Sequence, residues 1–166
     1  MRCLVTVGTT SFDALMSVLD ELLQVLKEQG FTHVSVQYGR GGAPPLPQPV
    51  PGLTVDAFGL KPTLKDEVAA ADLVVCHGGL GSLMEALSAR KRVLCVVNES
   101  LMGNHQLEIA EQMDDVGCHV FRCVPATLAQ TLRTADWSTR VPLPKARPEA
   151  YVDMLDKLFG FQDKSE

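Results

Sequence analysis

Short apolar, β-rich runs alternate along this chain with stretches whose apolar residues recur at helical spacing, and that alternation leaves few folds open. Cys3-Leu4-Val5-Thr6-Val7 reads as a buried strand ended by Gly8. Phe12, Leu15, Met16, Leu19, Leu22, Leu23 and Leu26 predict one helix over residues 11–28, stopped by Gly30. Strands are expected at residues 33–38 and 53–58, on either side of a Gly- and Pro-rich loop at residues 39–52. Thr63 reads as an N-cap, with Asp66 at the capping-box position of a helix ending near Ala71. Leu73-Val74-Val75-Cys76 is apolar without a break, as in the middle of a parallel sheet. Beyond it the pattern predicts helix 82–89, strand 93–97, helix 104–113 and strand 118–123. Helix 127–134, a proline-spaced segment at 137–148 and a last helix at 149–161 complete the chain. The expected fold is α/β, a Rossmann-like three-layer domain with a parallel sheet of about six strands.

A length of 166 residues fits one core. The division expected is a ligand-binding domain at residues 1–135, followed by a segment and helix at residues 136–166 that pack on it or dock a partner. A formal net charge of −5 speaks against a broad electrostatic grip on nucleic acid or an anionic membrane. An anionic ligand must therefore be held locally, by main-chain amides and one or two basic side chains. Cys3, Cys76, Cys95, Cys118 and Cys123 form no C-x-x-C pair and read as buried, reduced thiols rather than a metal site. No apolar run approaches the roughly 18 residues of a membrane span. A strand-like run begins within two residues of Met1, so no signal peptide is expected.

In an open parallel sheet, ligands sit beyond the carboxyl ends of the strands, where the strand order reverses. The loop after the fourth strand reads His77-Gly78-Gly79-Leu80-Gly81-Ser82-Leu83-Met84-Glu85. Its glycines admit a ligand close to the backbone, and the helix that follows presents free amides and the positive end of its dipole. Glu85 lies one turn further on, placed to accept both hydroxyls of a ribose; Ser82 to Glu85 reads equally as a capping box. Gly8-Thr9-Thr10-Ser11 after the first strand offers amides and hydroxyls but has neither a Walker lysine nor a full G-x-G-x-x-G, and Thr10 or Ser11 reads equally as a helix cap. Arg40, among glycines after the second strand, is the cation best placed for a diphosphate. Asn104-His105-Gln106 suits hydrogen bonds to sugar hydroxyls, with Asn104 alternatively a cap and His105 a possible proton carrier.

The succession of Val5-Thr6-Val7-Gly8-Thr9-Thr10, Gln37-Tyr38-Gly39-Arg40-Gly41, His77-x-Gly79-x-Gly81-Ser82-x-x-Glu85 and Leu101-Met102-x-Asn104-His105-Gln106 resembles the carboxyl-terminal domain of family 28 glycosyltransferases. Within it the chain is most similar to the small cytosolic subunits of dolichyl-diphosphate N-acetylglucosamine transferases. The resemblance implies half of a GT-B fold that binds UDP-GlcNAc as donor. Glu85 would then hold the ribose; Gly79, Gly81 and Ser82 the diphosphate; the main chain of residues 58–60 the uracil edge. His105 and Gln106 would contact GlcNAc, with His105 the candidate catalytic group, and Gly8 to Ser11 would close the phosphate side.

The same resemblance implies a membrane-anchored, acceptor-binding partner subunit, a lipid-linked GlcNAc acceptor, a place on the cytosolic face of the endoplasmic reticulum, and no metal or other cofactor. Tyr151, Val152, Leu155, Leu158 and Phe159 form an apolar stripe that would dock the partner or pack on the chain's own sheet. Two other readings explain part of the pattern. One is a non-catalytic nucleotide-sugar-binding or regulatory module. The other, a flavodoxin-like nucleotide binder, leaves the His77–Glu85 and Asn104–Gln106 motifs unexplained.

Overall fold

A computed structural model describes residues 1–40, 43, 48–98, 111, 115 and 117–144. The described elements, in order, are β1 (Arg2–Thr6), α1 (Asp13–Met16), α2 (Leu19–Glu28), β2 (His33–Gln37), β3 (Thr54–Phe58), α3 (Lys65–Ala70), β4 (Leu73–His77), α4 (Leu80–Ser88), β5 (Arg92–Val96), β6 (Val120–Cys123) and α5 (Leu128–Thr134). The six strands form one parallel sheet in the order β3-β2-β1-β4-β5-β6.

Alternate residues of each strand face opposite sides, so each strand feeds two cores. Cys3, Val5, Val7, Val34, Val36, Val75, Leu94 and Val96 meet α2 and α5 on one side. Leu4, Val74, Cys76, Val93 and Cys95 meet Val68 of α3 and Leu83, Ala86 and Leu87 of α4 on the other. This is the expected three-layer α/β arrangement. Helix α2 buries Leu19, Leu22, Leu23, Val25 and Leu26, each worth on the order of 2 kcal/mol in area removed from water. All five residues of β4 are buried, as its unbroken apolar run implies. The five cysteines are free and buried. Among the described residues no helix is long and apolar enough to cross a membrane.

Several boundaries differ from expectation. The helix expected over residues 11–28 is two helices. The Ser17 hydroxyl donates to the Ala14 carbonyl at 2.9 Å, and Val18, at φ −104° and ψ 9°, restarts the helical ladder. Thr63 lies one residue outside the N-cap, which is Leu64; its hydroxyl oxygen still accepts from the Lys65 amide at 3.2 Å. The sixth strand begins at Val120 rather than Cys118, because Gly117 turns at φ +70° and Cys118 bridges to Val141. Trp137 meets Phe121 edge to face at 4.9 Å, and Leu143 packs on the α3–α4 side. Helix 104–113, apart from helical Glu111, the last helix at 149–161 and its apolar stripe lie outside the described residues.

Candidate functional site

After β1 the chain steps to β2 and β3 on one side of it, then crosses to β4 on the other. The order reverses between β1 and β4, so the crevice at their carboxyl ends is where this class of sheet binds ligands. The β1 loop carries Gly8, and the turn after β4 carries His77, Gly78 and Gly79.

His77 is the last residue of β4, 8 % exposed, with its imidazole between the two glycines. A Cβ on Gly8 would lie 2.5 Å from the His77 Cε1, and one on Gly79 would overlap the ring, with Cε1 at 2.7 Å. Gly8 also takes φ +64°, a conformation that side chains resist. Burial lowers the His77 pKa below the usual histidine value, against a weaker opposite pull from the Thr6 main chain. Its Nδ1 is buried with no hydrogen-bond partner among the described residues. The ring is therefore a neutral, tightly held imidazole at the switch point.

Helix α4 starts directly behind it. Gly79, at φ −71° and ψ 125°, is the N-cap and supplies no side-chain cap. Leu80, Gly81 and Ser82 form the first turn, so Ser82 is the third helical residue, and the capping box expected between Ser82 and Glu85 does not form. The helix starts two residues earlier than expected because extended Gly79 ends the turn, closed by its amide donating to the His77 carbonyl at 2.7 Å. The amino end of a nine-residue helix thus faces the crevice with its first amides free of side-chain caps. Ser82 and Glu85 are half-buried on that helix.

The β1 loop is held from the β2 side. Gly39, at φ +66°, fits only because it lacks a Cβ, which would overlap the Thr10 carbonyl. The Arg40 amide donates to that carbonyl at 3.2 Å, which brings exposed Arg40 beside the loop of Gly8, Thr9, Thr10 and Ser11. Neither Thr10 nor Ser11 caps α1: the N-cap is Phe12, without a side-chain bond, and the Thr10 hydroxyl donates to the Ser11 carbonyl at 3.3 Å. Gly8, Thr9, Thr10, Ser11, Arg40, His77, Gly79, Gly81, Ser82 and Glu85 therefore gather at the carboxyl edge of β1, β2 and β4. Asn104, His105 and Gln106 lie outside the described residues. Among the described residues no group of three or more His, Cys, Asp or Glu is placed to hold a metal. One residue of this edge escaped the site expected from sequence: buried Gln37, whose amide joins β2 to the β1 loop.

The sequence pattern of the glycosyltransferase family 28 C-terminal domain matches residues 2–154. This chain belongs to that family. The mouse (Mus musculus) protein named UDP-N-acetylglucosamine transferase subunit ALG13 is 42% identical over 130 residues, covering 77% of this chain and 11% of the mouse protein, so the chain spans only a small part of that relative's length. The Eremothecium gossypii protein of the same name is 31% identical over 182 residues, covering 91% of this chain and 89% of that protein. The crystal structure of Acinetobacter baumannii MurG superposes with a TM-score of 0.68 at 19% identity, over 94% of this chain and 49% of that one. At that identity the likeness speaks for the fold alone, and what it covers is half of a larger chain. The family 28 domain here is one half of a GT-B fold.

Proposed function

We propose that this chain is the donor-binding subunit of a UDP-N-acetylglucosamine transferase. It would work with a membrane-anchored partner that supplies the acceptor site, adding GlcNAc to GlcNAc-diphosphodolichol at the cytosolic face of the endoplasmic reticulum. The observation that carries this reading is the near full-length match to a relative whose name makes it a UDP-N-acetylglucosamine transferase subunit. The crevice suits the donor's chemistry. The amino end of α4 and the β1 loop favour a diphosphate, and Arg40 adds a cation beside them. These groups would stabilise the departing UDP as the acceptor hydroxyl displaces it from the anomeric carbon. Glu85, one turn into α4 and with no hydrogen bond or ion pair from its carboxylate to a described residue, would hold the ribose, and the main chain at residues 58–60 the uracil. Asn104, His105 and Gln106 would take the sugar, with His105 the proton carrier. A GT-B reaction needs both halves, so the isolated chain is expected to bind UDP-GlcNAc and transfer little.

The test is a calorimetric titration of UDP-GlcNAc, followed by a transfer assay with and without membranes that carry the partner. Binding with transfer only in the complex supports the proposal. Binding without transfer in the complex favours a non-catalytic module, and robust transfer by the isolated chain overturns the split-enzyme reading. Glu85→Ala sharpens the result: UDP affinity is expected to fall about tenfold, as when a charged hydrogen bond is lost. The melting temperature should hardly move, because Glu85 belongs to no cap.

A further inference from the structure

Gln37 is 2% exposed at the end of β2, and each polar atom of its side-chain amide is engaged by the end of β1 or the loop that follows it. Its Oε1 accepts from the Thr6 hydroxyl at 2.7 Å and from the Val7 amide at 3.2 Å. Its Nε2 donates to the Gly8 carbonyl at 2.8 Å. The Thr6 hydroxyl, itself 1% exposed, accepts in turn from the Gly8 amide at 3.1 Å. The three groups form a closed ring, Thr6 to Gln37 to Gly8 and back to Thr6. Both main-chain polar groups of Gly8 are consumed by side chains, which holds this residue at φ +64°. Among the described residues nothing accepts from the next three amides, those of Thr9, Thr10 and Ser11. The ring thus turns Gly8 inward and leaves the following amides unclaimed at the crevice edge.

We propose that Gln37 and Thr6 are positioning residues: their buried hydrogen-bonded ring presets the β1 loop to receive the phosphates of a nucleoside diphosphate. The inference rests on the donor-binding reading given above. A preset loop loses no freedom when the anion arrives, so the ring contributes to affinity without touching the ligand. Neither residue belongs to the contacts inferred for base and ribose, which lie at residues 58–60 and on α4. The expected signature is therefore selective. Loss of the ring weakens recognition of the phosphates and spares recognition of the nucleoside.

The experiment uses the full chain and follows UDP by calorimetry and uridine by NMR titration. The variants are Thr6→Val, which keeps the shape and removes the hydroxyl, Thr6→Ser, which restores it, and Gln37→Met. Thr6→Val and Gln37→Met are expected to weaken UDP about tenfold and uridine less than threefold, with Thr6→Ser within threefold of the wild-type chain on UDP. If the wild-type chain binds no UDP, the donor-binding reading itself fails. If it binds UDP and Thr6→Val binds it equally well, the positioning proposal is overturned. An equal loss for UDP and uridine also overturns it, since a general loosening of the domain would do that. Should Gln37→Met fail to fold, the Thr6→Val and Thr6→Ser pair decides alone.

Discussion

The β1 loop and the β4 turn meet at one imidazole, but the two glycines that make room for it are constrained in different ways. Gly8 is required twice over: its φ of +64° is one that a side chain resists, and its missing Cβ leaves the space that His77 fills. Gly79 has ordinary extended backbone, φ −71° and ψ 125°, and is required only for space. A turn held by backbone conformation stays intolerant whatever surrounds it. A turn held by a neighbour's bulk becomes tolerant once the neighbour is trimmed.

That difference can be broken open with a pair of mutant cycles. Gly8→Ala should cost about 3 kcal/mol, the sum of left-handed strain and crowding against His77. Gly79→Ala should cost about 1–2 kcal/mol, from crowding alone. In a His77→Ala background the Gly79→Ala cost should fall below ~0.5 kcal/mol, while Gly8→Ala keeps about 1–2 kcal/mol of backbone strain. Urea denaturation of the six chains measures all of these. A Gly79→Ala cost that is the same in both backgrounds would show that His77 is not the wedge.

The same wedge makes stability depend on pH with a defined sign. Burial holds the folded-state pKa of His77 below the ordinary histidine value. As pH falls through that ordinary value the unfolded chain takes up a proton that the folded chain refuses. Stability conferred above the unfolded pKa is then lost progressively until the folded pKa is reached. The melting temperature is expected to drop between about pH 7.5 and pH 5.5, and His77→Gln should flatten that slope. An unchanged slope in His77→Gln would assign the effect to another group and free His77 from the neutral state argued for it.

Much of this was legible in the sequence, and the exceptions have physical reasons. The strands were readable because a parallel sheet covered on both faces demands continuous apolar runs, as at Leu73-Val74-Val75, and their ends moved by a residue or two. The break at Ser17 and Val18 was hidden, since the apolar spacing runs through it unchanged and a single hydroxyl bond marks it. The site's glycines were readable as a motif, but their separate reasons were not. Spacing cannot reveal that the imidazole ending β4 also fills the space beside Gly8, 69 residues earlier; that contact follows from β1 lying beside β4. Gln37 was missed as a site residue for a similar reason. A glutamine ending a strand reads as solvent-facing until the adjoining loop folds over it, and nothing local announces Thr6 as its partner.

The far ends of the helices repeat the contrast between backbone and bulk on a smaller scale. Helices α2 and α4 end in the same double bond pattern. At α2, the Gly30 amide donates to the Lys27 carbonyl at 3.0 Å and the Phe31 amide to the Leu26 carbonyl at 2.9 Å. At α4, the Arg90 amide donates to the Leu87 carbonyl at 2.9 Å and the Lys91 amide to the Ala86 carbonyl at 3.0 Å. Both ends need a left-handed residue after the cap. Gly30 supplies it at φ +85° without strain, whereas Arg90 is forced to φ 58°, the single non-glycine residue with positive φ among those described. Arg90→Gly should therefore stabilise the chain by roughly 0.5–1 kcal/mol, the relief of strain being partly offset by the freedom glycine adds to the unfolded chain. Arg90→Ala keeps the strain and should change stability by less than ~0.5 kcal/mol, so the pair separates backbone from side chain. Arg90 sits at the opposite end of α4 from Gly79, so UDP affinity should stay the same in both variants. A gain in Arg90→Ala equal to that in Arg90→Gly would place the penalty in the arginine side chain and remove the conformational argument.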